Sequence, residues 1–149
     1  MMQQADRQRL THIYEYCVSI EKAIQRFGSD FQSFDSDEDF QHSLSFCLLQ
    51  IGELGGGLSE EYRRETANRV QWGPMKAMRN MVAHGYGKMD RQIIWETVTT
   101  DIPALKAFCE EQLNILDFSV IRKTGMYFPQ GAASSGDDFS KRTICFSTL

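Results

Sequence analysis

The chain has no apolar run long enough to cross a membrane, no closely spaced pair of cysteines and no useful stretch of alternating polar and apolar residues. The first absence excludes a membrane-spanning helix, which needs roughly 18 or more apolar residues in succession. The N-terminal MMQQADRQRL also lacks the apolar centre of a secretory signal peptide, so a cytoplasmic protein is expected. The four cysteines, Cys17, Cys47, Cys109 and Cys145, form no C-x-x-C pair, and the first three fall on the apolar faces of candidate helices. They read as reduced core residues rather than a disulfide framework or a zinc site. The three histidines, His12, His42 and His84, show no ligand spacing with each other or with a cysteine. Metal binding is therefore disfavoured, and no cofactor is expected. Internal repeats are absent, and 149 residues with 42% hydrophobic side chains suit one domain with a sizeable core.

What is present is helical periodicity. Leu10, Ile13, Tyr14, Cys17, Val18, Ile20, Ile24 and Phe27 form one stripe of a helix over residues 5–27, stopped by Gly28-Ser29-Asp30. The acidic FDSDEDF supplies caps and first-turn carboxylates for a second helix carrying Phe40, Leu44, Cys47, Leu48, Ile51 and Leu54, which ends at Gly55-Gly56-Gly57. Glycine costs a helix roughly 1 kcal/mol relative to alanine, so GELGGGL is richer in glycine than a helix favours. Ser59 caps a short polar helix, SEEYRRETANRV, before Trp72-Gly73-Pro74 starts another that should fail near Gly85 and Gly87. Asp90 caps a last helix from Ile93 to Leu116, kinked or divided at Pro103. The fold class is all-α, an antiparallel bundle of about five helices over residues 1–117. Residues 118–149 lack a sustained period and are rich in Ser and Gly, which predicts an irregular, poorly packed tail.

The net charge of −4 hides an asymmetry. Residues 63–91 hold seven basic side chains (Arg63, Arg64, Arg69, Lys76, Arg79, Lys88 and Arg91) against Glu65 and Asp90, so that stretch is +5 and the remainder −9. It reads either as an ordinary solvated face or as a phosphate-attracting patch on an acidic body, and composition alone favours the former.

Within it lies RNMVAHGYG. Arginine offers a permanently charged fork of donors that fits phosphate oxygens, histidine moves protons near neutral pH, and tyrosine adds a hydroxyl. Such a set suits phosphodiester cleavage without a metal, by attack of an RNA 2′-hydroxyl on phosphorus. An ordinary explanation competes, since a histidine near a helix C-terminus is favoured by the helix dipole alone. Arg79 and Tyr86 are seven apart and share a helix face, whereas Arg79 and His84 are five apart and diverge by roughly 140°. Either the helix ends at His84, or a second copy of the chain completes the site.

Residues 79–86 match R-x-x-x-x-H-x-Y, and the surrounding Trp72-Gly73-Pro74, IIWETVTTDIPAL and LQIGELGGGLSEEYR extend the likeness over roughly residues 7–117. The chain resembles the HEPN superfamily in its HepT-like branch. That resemblance implies a five-helix homodimer whose cleft carries both motif copies and acts as a metal-independent endoribonuclease. Members like it are toxins paired with an MNT-type nucleotidyltransferase antitoxin, which neutralises them by transferring AMP to the motif tyrosine. Carried over by residue, Arg79 and His84 are catalytic, Asn80 assists them and Tyr86 is the modification target. Arg63, Arg64, Lys76 and Lys88 then become RNA-facing charges. The alternative from another class is a non-catalytic helical module that uses the same cleft to bind RNA or the nucleotidyltransferase. Trp72 and Trp95, flanking apolar stripes, are expected in the core or a dimer interface, and Met75, Met78 and Met81 in adaptable packing between helices.

Overall fold

The computed structural model describes residues 2–85, 90–115, 144 and 146, with the backbone alone at 84 and 85. The regular elements are α1 (Gln4–Phe27), α2 (Phe31–Ser36), α3 (Glu38–Gly56), α4 (Glu60–Glu65), α5 (Trp72–Gly85), α6 (Arg91–Glu96), a π-helical turn (Thr97–Asp101) and α7 (Ile102–Leu113). Among the described residues there is no strand, only an isolated parallel bridge between Val70 and Ile144.

The long helices run antiparallel, as their cross-contacts show. Asp6 meets Ser59, Tyr16 meets Phe46 and Phe27 stacks on Phe40, so α1 and α3 descend past each other. On the other side of α1, the Arg7 guanidinium donates to the Leu113 carbonyl and Lys106 pairs with Glu21, which sets α7 antiparallel to it. Gly55 lies beside Trp72 and Met75, and Gly52 beside Met75 and Arg79, giving the same relation between α3 and α5. Leu10, Ile13, Cys17 and Ile20 of α1 meet Leu44, Leu48 and Ile51 of α3 and Ile102, Leu105 and Cys109 of α7 in one buried core. Cys17, Cys47 and Cys109 are free and buried there, as their positions on apolar stripes predict.

Two boundaries differ from the sequence reading. The residues before Asp37 form the extra helix α2, because Asp30 already caps it by accepting from the Ser33 N–H at 2.9 Å, and Phe34 is drawn under Phe40 and Trp95. Asp37 then returns to extended backbone and caps α3 at the Phe40 N–H. Polar helix α4 ends at Glu65, earlier than expected, and residues 66–69 continue as turns in which Thr66 bonds the Tyr62 carbonyl.

Pro103 distorts the last helix without ending it, since residues 91–113 stay helical throughout. It has no N–H to return to the preceding turn, and that turn widens into the π-helical Thr97–Asp101, where the Ile102 N–H reaches the Thr97 carbonyl. Leu116 lies outside the described residues, as does residues 118–149 apart from Ile144 and Phe146. These two are not poorly packed. Phe146 is 1% exposed, and Ile144 exchanges backbone bonds with Arg69 and Gln71 at 2.7 and 3.0 Å.

Candidate active site at the α3–α5 crossing

Arg79 sits in α5 where that helix passes closest to α3. A Cβ built on Gly52 would fall 2.5 Å from the Arg79 Cβ and 3.1 Å from the Met75 carbonyl oxygen, and one on Gly55 would fall 3.1 Å from the Met75 sulfur. The glycines that weaken α3 as an isolated helix are what let the two backbones approach. Met75 and Met78 fill the seam and are buried, as their spacing predicts.

The guanidinium is held from two directions. Glu53, next to Gly52 on α3, forms an ion pair on the Nε side without a hydrogen bond from the Nε–H, and Nη1 donates to the Asn80 carboxamide oxygen at 2.8 Å. Among the described residues nothing occupies Nη2, so the outer fork of a side chain 35% exposed stays open. Sequence reasoning placed Arg79 and Asn80 together but gave Glu53 no role. The signal was present in I-G-E, where a small residue adjoins a charged one on a helix otherwise facing the core.

His84 belongs to the same helix, which ends at Gly85, where its failure is expected. Positions 79 and 84 therefore lie roughly 140° apart about one axis. Tyr86 and Lys88 lie outside the described residues.

The basic stretch does not make one bare patch. Arg64 pairs with Glu60, Arg69 with Glu111, Arg79 with Glu53 and Arg91 with Asp35, all carboxylates from outside residues 63–91. The Arg69 pair is bidentate, and its hydrogen bonds lower the Glu111 carboxyl. The Arg64 pair stands in water, where such contacts contribute at most about 1 kcal/mol and yield readily to a phosphate. Arg63 and Arg64 line an open cleft of about 490 Å³ with Gln71, Trp72 and Gly73 at the start of α5, and among the described residues the Arg63 Nε has no hydrogen-bond partner. Exposed Lys76 lies between this cleft and Arg79, one turn before Asn80. Cleft and Arg79 are about 10 Å apart along the helix at ~1.5 Å per residue. Trp72 borders the cleft but is committed to the core: its indole N–H donates to Thr66 Oγ1 and its ring meets Phe108 edge-on. Among the described residues, no three His, Cys, Asp or Glu side chains gather in a metal-binding group.

Comparison with known proteins gives the family. The family model described as ribonuclease HepT-like matches residues 13–112. A protein of Caldanaerobacter subterraneus subsp. tengcongensis named as an RNase is 31% identical over 107 residues, covering 72% of this chain and 93% of its own length. One of Thermococcus cleftensis named as a HepT ribonuclease is 31% identical over 81 residues, covering 54% of this chain and 73% of its own. No solved structure matches the chain at a significant level.

Proposed function

Because the chain belongs to the HepT-like ribonuclease family and is thereby an endoribonuclease, we propose that it is a toxin cleaving RNA without a metal through Arg79 and His84. The observation that carries this reading is Arg79 itself, fixed at the helix crossing with its outer donor fork open. In the proposed step His84 draws the proton from an RNA 2′-hydroxyl. The freed oxygen bonds to phosphorus as the P–O5′ bond breaks, and a second imidazole protonates the departing 5′-oxygen. The products are a 2′,3′-cyclic phosphate and a 5′-hydroxyl. Arg79 neutralises charge gathering on the phosphoryl oxygens, and Asn80 restrains it. Arg63, Arg64, Lys76 and Lys88 hold the flanking phosphates.

The reading includes a homodimer, and the helix geometry is what supports it. One unbroken α5 cannot bring positions 79 and 84 to one phosphate, so a second copy completes the cleft and supplies the second histidine. Phe46 supports this, being 55% exposed and two helical turns from Glu53 on the same side of α3. Tyr86 is the proposed acceptor of AMP from an MNT-type nucleotidyltransferase antitoxin.

The test is incubation of the unmodified protein with a defined RNA in EDTA, beside His84→Ala. Cleavage by wild type alone, leaving a cyclic phosphate, is the expected result. Equal cleavage by His84→Ala removes the role of histidine, and no cleavage by wild type favours a non-catalytic RNA- or nucleotidyltransferase-binding module. Tyr86→Phe should escape labelling by the partner enzyme; AMP on that variant refutes the tyrosine assignment.

A further inference from the structure

The Arg79–Glu53 pair is costly in a site that must receive RNA, because it sets a carboxylate where phosphates approach. It is also not needed to dock α5 on α3. Gly52 and Gly55 already bring those helices into contact over buried Met75 and Trp72, and half-exposed ion pairs stabilise folds little. Its geometric effect is specific. A guanidinium has five N–H donors in a plane, of which Glu53 faces Nε and Asn80 accepts from Nη1. The remaining donors, on Nη2 and the far side of Nη1, form the end-on fork that can grip two phosphoryl oxygens.

We propose that Glu53 is a positioning residue for RNA cleavage, holding Arg79 by its inner edge so that only the Nη1/Nη2 fork meets the scissile phosphate. This rests on the reading of Arg79 as the phosphate-stabilising group. Removing the Glu53 charge frees the guanidinium to rotate and also removes a repulsion toward RNA. Turnover and binding therefore change in opposite senses, which loss of a merely structural contact does not produce.

The experiment is steady-state cleavage of one RNA in EDTA by the full-length wild type, Glu53→Gln and Arg79→Ala, with rotation about the Arg79 Nε–Cζ bond followed by NMR. Glu53→Gln is expected to lower kcat at least tenfold with KM unchanged or lower, since small misplacements of a catalytic group carry losses of roughly that size or more. In that variant the Arg79 Nε–Cζ bond should rotate faster than in wild type, while Arg79→Ala is inactive. Glu53→Gln cleaving within twofold of wild type, or keeping the wild-type bond rotation, overturns the role of Glu53 and leaves that of Arg79 standing. A fall in kcat with a raised KM and a lowered Tm makes Glu53 a helix clamp and overturns it too. Arg79→Ala cleaving normally, or wild type not cleaving, removes the underlying reading and this inference with it.

Discussion

The Cβ that Gly52 lacks would stand 2.5 Å from the Cβ of Arg79, so α3 can carry no side chain where the motif arginine crosses it. Both atoms sit on helix backbone or its first carbon and cannot swing aside. Gly52→Ala should therefore displace α5 and the guanidinium together. We expect a loss of about 1–3 kcal/mol in urea unfolding and a larger proportional loss in RNA cleavage. Wild-type stability in the variant would mean the crossing is loose.

The proposed homodimer is tested at Phe46. Phe46→Glu places a charge on an exposed apolar position that meets Tyr16 edge-on, at 6.2 Å between ring centroids. Helical content should stay within error by circular dichroism while light scattering reports a monomer, and RNA cleavage should fall with it. A variant that remains dimeric puts the interface elsewhere.

The pH dependence has a sign. Burial raises the Asp101 carboxyl to about 6, so the folded chain resists its ionisation. Its contribution is intact below its unfolded value of about 4 and is lost as pH rises through about 6. Asp101→Asn should thus stabilise the protein at neutral pH and do little in mild acid. About 1 kcal/mol is expected, less than the full shift implies because the carboxyl is only half buried. Equal unfolding midpoints of the two proteins at neutral pH would contradict this.

Phe146 is part of the packed fold. Buried to 1% exposure, two residues beyond the Val70–Ile144 bridge, it should cost about 3 kcal/mol when cut to alanine. Thermal unfolding of Phe146→Ala measures this, and an unchanged Tm would show that the ring stabilises nothing.

The helices and much of the site's composition were legible in the residues. The 3.6-residue stripes of α1, α3 and α7, the caps at Asp37, Ser59 and Asp90, and the distortion before Pro103 are local properties, written within a few neighbouring positions. So was the neighbourhood of Arg79 and Asn80. The extra helix α2 was hidden because its reason is distant, Phe34 packing under Trp95 from a later helix.

Long-range pairing decided the rest. The +5 charge of residues 63–91 is a property of order along the chain, whereas Glu53, Glu60, Glu111 and Asp35 reach it only when the helices pack. Glycine at 52 looks like a weakness of α3 until α5 is seen against it, and Ile144 and Phe146 look dispensable until Arg69 and Gln71 receive the chain. Sequence determines which segments coil and which side chains can do chemistry, because those depend on local sterics and functional groups. Tertiary structure decides which of those groups meet, because burial of the apolar stripes selects the crossings and charges close into pairs where the crossings leave them.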